Sequence, residues 1–150
     1  MWIRVTVPDM TARGARPILR SRVDGSRVSG VLLAGDLVAI GVFVVAGELR
    51  HGRPPAAGTL TFLEFAAGWL LAAVAVGAYR HGAVATAPRS ALLAVGGWLL
   101  GASLGQVIRA VVEPGFYIAP TFLVVTLGVG GALLLGWRLL AWALLSATRG

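Results

Sequence analysis

The chain has 150 residues, of which 57% are apolar and 13% are charged, whereas about 25% of the residues of an ordinary soluble domain are charged. The mean hydropathy is +0.84. A soluble domain of this size has too few polar residues to cover so much apolar surface, and a disordered chain requires low hydrophobicity. The composition therefore excludes both classes and indicates an integral membrane protein.

Charge and cysteine content exclude further classes of function. The net charge is +7, and all 13 basic residues are arginines. Six of them lie in the first 27 residues, a distribution that favours topology-determining charge beside a membrane over nucleic-acid binding. The chain contains no cysteine, which excludes disulfides and thiolate metal sites. We expect no nucleic-acid partner, no metal and no cofactor.

Residues 1–28 are polar and arginine-rich, and they show no helical or strand period. They predict a disordered, basic cytoplasmic tail. Pro8, Gly14, Pro17 and Gly25 interrupt the segment. A signal peptide is not expected, because this tail is too long for its charged region and the next apolar run contains Asp36.

Four apolar runs follow the tail, at residues 30–49, 61–79, 91–112 and 121–145. Each is close to the length of about 20 helical residues that crosses a hydrocarbon core of about 30 Å. The runs lack the alternation of barrel strands, so helices must satisfy the backbone. Because the connections are short, neighbouring helices should run antiparallel. The predicted fold is all-α, a polytopic bundle of four transmembrane helices over residues 29–147.

Several polar and proline residues mark the expected helix ends. Thr61 and Glu64 have the spacing of a capping box at the start of the second helix. Ser90 is the expected N-cap of the third helix. Pro114 should end the third helix, and Pro120 precedes the fourth.

The arginines also predict the orientation. With a cytoplasmic N-terminus, the inner side receives ten arginines and the outer side three, namely Arg50, Arg53 and Arg109. Cytoplasmic loops carry the excess of positive charge in membrane proteins. The sequence therefore predicts a multi-pass protein of the cell membrane with both termini in the cytoplasm.

Glycines at a spacing of four lie on one face of the third helix, at Gly97, Gly101 and Gly105. Such a face lets another helix backbone approach closely. We interpret it as a helix-packing surface within the bundle, with the glycine-rich fourth helix as its expected partner. A dimerisation face is the alternative.

Two ionisable residues are expected deep in the inner half of the membrane. Asp36 lies six residues after Gly30, which places it about 9 Å below the inner boundary. An isolated charge at such a depth costs about 2.5–3.5 kcal/mol. Arg138 lies at a similar depth on the fourth helix, which neighbours the first in a closed bundle, so we predict that the two side chains pair. The alternative is a protonated Asp36 bonded to a hydroxyl or carbonyl, with Arg138 extending to the headgroups.

A second pair is expected in the outer half. Glu64 and Arg109 each lie about three residues inside their helices, or about 5 Å below the outer boundary. We predict that they approach each other. The alternative is that Glu64 caps its own helix and Arg109 extends to the headgroups.

The sequence contains no catalytic motif of the HExxH, GxSxG or phosphate-loop type. We therefore expect no catalytic, cofactor-binding or metal-binding residues, and no enzymatic activity. The favoured function is a non-enzymatic accessory or assembly component. A transporter or channel for a small solute, ion or lipid, acting as an oligomer, is the first alternative, and a lipid-modifying enzyme is the second. The expected partners are the lipid bilayer and either a second copy or another membrane protein.

A set of residues in fixed order carries a resemblance to a known family. It comprises Asp36, Phe43, Gly47, His51, Trp69, Pro88, Arg89, Trp98, Gly101, Gly105, Arg109, Phe122, Trp137 and Arg138. In this order and spacing the chain resembles, over about residues 30–145, the small prokaryotic four-helix membrane family known as domain of unknown function 3054. The resemblance implies the same architecture and no assigned activity.

Overall fold

A computed structural model describes the backbone of residues 15–113, 115 and 117–148, and side chains from Ser26 onward. Its elements, in chain order, are α1 (Ala15–Arg50), a 3-10 turn (Pro55–Gly58), α2 (Thr59–Val76), α3 (Ala87–Val112), α4 (Pro120–Val125), a π turn (Thr126–Gly130) and α5 (Gly131–Ala147). The segment from α4 through α5 forms one continuous fourth span.

Four helical segments among the described residues are long and apolar enough to cross a membrane, and they confirm the predicted fold class. Their mean hydropathies lie between 1.7 and 2.3. The segments are Ser26–Arg50, Pro55–Val76, Ala87–Val112 and Pro120–Ala147. The chain is thus a membrane-embedded, all-helical protein.

The structure differs from the predicted disordered tail, because α1 begins at Ala15. Pro17 lies in the first turn of this helix, where its missing N–H would have no helical partner anyway. Arginine is also a good helix former. Residues 1–14, which include Pro8 and Gly14, lie outside the described residues.

The predicted end of the second helix and the predicted start of the third are wrong. The second helix ends at Val76 rather than 79, because Gly77 adopts the left-handed conformation with φ of 72°. The third begins at Ala87, and the N-cap is Thr86 rather than Ser90, since the Thr86 side chain accepts a hydrogen bond from Arg89 N.

The second helix begins at Thr59, directly after the 3-10 turn, and no side chain caps it. Thr61 and Glu64 therefore lie inside the helix, one turn later than a capping box would require. Pro114, the expected stop of the third helix, lies outside the described residues, and Glu113 is the C-cap of α3.

The four spans form a closed ring, in which α1 and α3 each pack against α2 and α5. Along α1, Asp36 contacts Tyr79 just beyond α2, whereas Val44 lies against Gly58 just before α2. The two helices therefore run in opposite directions. We call the end with Val76, Ala87 and Ala147 the terminal end, and the end with Arg50, Thr59, Val112 and Pro120 the distal end.

The glycine face of α3 packs against α2, and not against the fourth span as predicted. A Cβ atom at Gly101 would lie 3.0 Å from Trp69 Cα, and one at Gly105 would lie 2.8 Å from the Phe65 ring. Gly68 of α2 lies directly opposite and lets the two backbones touch. Gly68 explains why α2 is the partner, because a backbone-to-backbone contact requires a small residue on both helices.

The glycines of the fourth span accommodate an indole ring instead. Gly130 and Gly131 lie against Trp98 of α3, and a Cβ atom at either position would crowd the ring. Trp98 Nε1 donates a hydrogen bond of 3.0 Å to Thr126 O, a carbonyl of the π turn. The wider π turn thus provides an acceptor for a buried tryptophan.

Aromatic rings fill the middle of the bundle. Trp98 has its ring centroid 6.4 Å from that of Phe43, 6.1 Å from Phe65 and 6.3 Å from Trp69. Phe65, Trp69 and Trp98 are almost completely buried. This aromatic cluster separates the terminal half of the bundle from the distal half.

The contact between α2 and α3 makes a testable prediction. In Gly68→Ala, the new Cβ would overlap Gly101 O and lie 2.5 Å from Gly105 N, so the helices must move apart. We expect a loss of about 1–3 kcal/mol in the free energy of unfolding, measured by denaturant titration in mixed micelles. Gly96→Ala is the matched control, because a Cβ there meets nothing within 4 Å. Equal losses in both variants would contradict the close contact.

Candidate functional site

The predicted ion pair between Asp36 and Arg138 is present. Arg138 Nη2 lies 2.6 Å from Asp36 Oδ2, and Arg138 Nε lies 2.8 Å from Asp36 Oδ1. Both side chains have no exposed surface. The carboxylate and the guanidinium therefore form a two-bond ion pair between the first and fourth spans, the geometry in which such a pair is strongest.

The rest of the polar groups around this pair are hydrogen-bonded. Tyr79 donates its hydroxyl proton to Asp36 Oδ2 at 2.7 Å, and Trp69 Nε1 donates to the Tyr79 oxygen at 2.9 Å. Arg138 Nη1 donates to Ala78 O at 2.9 Å. We call Asp36, Arg138, Tyr79 and Trp69 the Asp36 network. Because these groups satisfy one another, the network suits a structural connection better than chemistry.

The α3 helix joins this region through Ser90, whose hydroxyl donates to Arg138 O at 3.1 Å. All four spans therefore meet at the Asp36 network. Sequence reasoning placed Ser90 at a helix cap and assigned no role to Tyr79. Counted along the helices, both residues lie near the expected membrane boundary and Asp36 lies about 9 Å deeper, so depth gave no signal for either contact.

Tyr79 lies in the connection between α2 and α3, outside the spans. Its burial, followed by the negative charge of Asp36, raises the pKa of the Tyr79 hydroxyl above its usual value. The hydroxyl therefore keeps its proton throughout the physiological range and remains a donor to Asp36. This agrees with the direction of the 2.7 Å hydrogen bond.

The predicted approach of Glu64 and Arg109 is also confirmed. Arg109 Nε lies 3.8 Å from Glu64 Oε2. The guanidinium forms its hydrogen bonds elsewhere, with Thr61 Oγ1 at 3.0 Å and Glu113 Oε2 at 3.2 Å. Sequence reasoning missed Glu113, although its position four residues after Arg109 on the same helix was a usable signal.

Glu64 is left in an unusual position. Its side chain is only 2% exposed, and neither carboxyl oxygen has a hydrogen-bond partner among the described residues. Buried polar groups are almost always hydrogen-bonded in folded proteins. Glu64 therefore marks the distal half as the part of the bundle where polar groups are not all satisfied.

A cavity of about 310 Å³ opens beside this region at the distal end. Its apolar wall is formed by Phe43, Val44, Phe122 and Val125. Its polar wall is formed by Glu48, His51, Arg53, Thr61 and Arg109. We call this space the distal cavity. An apolar chamber with a few polar groups on one side is typical of a small-molecule site.

The cavity exists because α4 stands apart from the rest of the bundle. Among the described residues, no Cα atom of α4 lies within 8 Å of a Cα atom in α1, α2 or α3. Phe122 bridges the gap with its ring, whose centroid is 6.3 Å from that of Phe65 and 5.7 Å from Arg109 Cζ. One aromatic side chain therefore forms both the wall of the cavity and a cover for Arg109.

A second ion pair lies in the polar wall of the cavity, between Glu48 and Arg53. Arg53 Nε lies 2.6 Å from Glu48 Oε2, with Arg53 59% exposed and Glu48 buried. In the part of the chain that the structure describes, no group of three or more His, Asp or Glu side chains could hold a metal ion. The polar wall thus offers hydrogen-bond donors and paired charges.

These features define a small, four-span membrane protein with a closed terminal half and an open distal half. The family model for DUF3054, described as a protein of unknown function, matches residues 33–141. The chain therefore belongs to this family, as its sequence resemblance indicated. No curated protein and no solved structure matches the chain.

The ion pair between Asp36 and Arg138 leads to a prediction about coupling. Asp36→Asn and Arg138→Gln should each lower the free energy of unfolding by about 3–5 kcal/mol, because each leaves a buried partner uncompensated. The double variant should lose less than either single variant. Denaturant titration in mixed micelles measures all three.

The Glu48–Arg53 pair, in which only the arginine is exposed, provides the control for this cycle. Glu48→Gln and Arg53→Gln should show a coupling of about 0–1 kcal/mol, because Arg53 is largely exposed. Strictly additive losses in the Asp36–Arg138 cycle would show that the pair does not act as a unit.

Proposed function

We propose that the protein is a non-enzymatic accessory component of the cell membrane that binds a small amphipathic molecule in the distal cavity. The cavity is the single observation that carries this proposal. Its volume of about 310 Å³ is at the lower end of ligand sites, which span about 300–1,000 Å³. Its apolar wall suits a hydrocarbon body, and its polar wall suits a head group that accepts hydrogen bonds.

The donors on the polar wall support this choice of ligand. Arg53, Arg109 and His51 line the cavity together with Thr61. Arg109 is held in place by Thr61 and Glu113, so its guanidinium is oriented before a ligand arrives. Such preorganisation lowers the entropic cost of binding.

The absence of enzymatic activity is part of the proposal. Glu48 and Glu113 are each within ion-pair distance of an arginine, Arg53 and Arg109. Carboxylates that are engaged by an arginine are poorly placed as general bases, since a base must reach the proton of a substrate at hydrogen-bond distance. The pattern favours binding over catalysis.

A transporter or channel acting as an oligomer is the second candidate, and the one-sided opening of the cavity favours it. In the protomer, the aromatic cluster lies directly below the cavity, and Trp69 and Trp98 are almost completely buried. The Asp36 network then fills the terminal half. A solute could therefore cross only between protomers of an oligomer, or through the protomer if the aromatic cluster and the Asp36 network moved apart.

The proposal includes the orientation and the partners. The distal end carries Arg50, Arg53 and Arg109, whereas the remaining arginines lie toward the terminal end or in the segments that flank the bundle. The positive-inside rule supports both termini in the cytoplasm and the cavity on the outer side. An accessory component would act through contact with another membrane protein or a second copy, within the bilayer and without nucleic acid.

The orientation can be tested by cysteine labelling, since the chain has no cysteine of its own. Ala57 and Ala85 are both exposed, at the distal and terminal ends respectively. We expect an impermeant maleimide to label Ala57→Cys in intact cells and Ala85→Cys only after permeabilisation. The reverse pattern would place the cavity on the cytoplasmic side.

Ligand binding can be tested by filling the cavity. Gly47 lines the cavity, and a Cβ at this position meets nothing within 4 Å, so Gly47→Phe should fold and occupy the space. We expect a dansyl-labelled fatty acid to bind the wild-type protein in nanodiscs saturably. Its affinity for Gly47→Phe should be lower by at least about tenfold, or about 1.4 kcal/mol.

Gly96→Phe is the matched control, because Gly96 is also a helical glycine with open space around its Cα and does not line the cavity. It should bind the probe like the wild-type protein. Probe signals that do not saturate, or an equal loss in both variants, would contradict a site in the distal cavity.

A further inference from the structure

The carboxyl group of Glu64 lies in the membrane-spanning part of α2 without a hydrogen-bond donor. Its side chain is 2% exposed, and both oxygens are buried and unpartnered among the described residues. An ionised carboxylate in such a place is unfavourable unless it is paired. A proton bound to the carboxylate removes its charge and thereby lowers the free-energy cost of burying it.

The nearest cation is already engaged with another acid. Arg109 Nε donates to Glu113 Oε2 at 3.2 Å, whereas Glu64 Oε2 lies 3.8 Å away and forms no hydrogen bond with it. Arg109 Nη1 donates to Thr61 Oγ1 at 3.0 Å. Two carboxyl groups thus lie beside one guanidinium, and only Glu113 is hydrogen-bonded to it.

We propose that Glu64 is a proton-binding site in the distal half of the bundle, with Arg109 as a shared partner. While Glu64 holds a proton, Arg109 pairs with Glu113. When the proton leaves, the guanidinium faces two carboxylates and moves toward Glu64. This inference does not require the amphiphile proposed above, because Glu64 does not line the distal cavity, but Arg109 is common to both proposals.

Among the described residues, few charged groups lie near Glu64. From α3, Arg109 Nε lies 3.8 Å from Glu64 Oε2, and Glu113 pairs with the same guanidinium. From α1, the acid at the same end of the bundle is Glu48, which forms an ion pair with Arg53 at 2.6 Å. The α4 segment contributes the Phe122 ring, which covers Arg109. The proton on Glu64 is therefore controlled by the Arg109–Glu113 pair.

Labelling with dicyclohexylcarbodiimide tests the proposal, because this apolar reagent adds to protonated carboxyl groups in apolar surroundings. The acid proton moves to a nitrogen of the reagent while a carboxyl oxygen bonds to its central carbon, so nothing is released. We expect peptide mass spectrometry of the wild-type protein in nanodiscs to find the adduct on Glu64. Labelling should fall as the pH rises.

Three variants separate a proton site from an incidental reaction. Glu64→Gln should lose the adduct. Arg109→Gln should raise the pH of half-maximal labelling by about one to three units, because the favourable cation is lost. Glu113→Gln should lower it, because Arg109 becomes available to Glu64. Opposite shifts in these two variants would not arise from a purely structural role.

Several results would overturn the proposal. No adduct on Glu64 in the wild-type protein, or labelling that does not change with pH, would show that the group holds no exchangeable proton. Equal labelling by a water-soluble carbodiimide would show that Glu64 is open to solvent. Protection by sodium but not by choline at constant pH would show that the occupant is a metal cation.

Discussion

The buried ion pair between Asp36 and Arg138 is the interaction on which the arrangement of the bundle depends. It joins the first and fourth spans at a fixed depth, and both side chains have no exposed surface. A buried pair adds little net stability, since desolvation cancels most of the attraction. Its effect is on specificity, because any other rotation or register of these helices would leave a charge without its partner.

The two halves of the bundle differ because this pair lies near one end. In the terminal half, the hydrogen bonds of Tyr79 and Trp69 connect the pair to the second span, and Ser90 connects it to the third. In the distal half, the α2–α3 contact persists through Gly68, but α4 stands apart. Function in proteins tends to use the less tightly packed part of a fold. The open distal half is therefore the natural place for binding.

The spans and both ion pairs could be predicted from the sequence, because a helix rises by a constant amount per residue. Depth in the membrane then follows from counting, and residues of equal depth on neighbouring helices can meet. This reasoning placed Asp36 beside Arg138 and Glu64 beside Arg109. It could not choose between Glu64 and Glu113 as the acid that hydrogen-bonds Arg109, since that depends on side-chain geometry.

The partner of the α3 glycine face, the role of Tyr79 and the distal cavity could not be predicted from the sequence, for physical reasons. Which helix meets the Gly101 face depends on the rotation of each helix about its axis, and hydropathy carries little information on rotation in a chain that is apolar all round. The hydrogen bond of Tyr79 to Asp36 could not be predicted because Gly77 ends the helix early and turns the chain back toward Asp36. The distal cavity depends on the position of α4, which the contacts of Trp98 with the π turn determine.

The π turn at Thr126–Gly130 has a consequence for how this family can vary. A π turn contains about one residue more than an α turn, so it is equivalent to a single inserted residue in the fourth span. Deleting one codon there would restore a regular helix and leave the hydropathy profile nearly unchanged. The wide turn absorbs the additional residue, so this deletion would leave Phe122 on its present face of the span. Deleting one residue from the regular helix of α5 would instead rotate α4 by about 100° relative to the rest of the helix and carry Phe122 away from Arg109. The π turn is therefore the part of the fourth span in which chain length can change without altering the wall of the cavity.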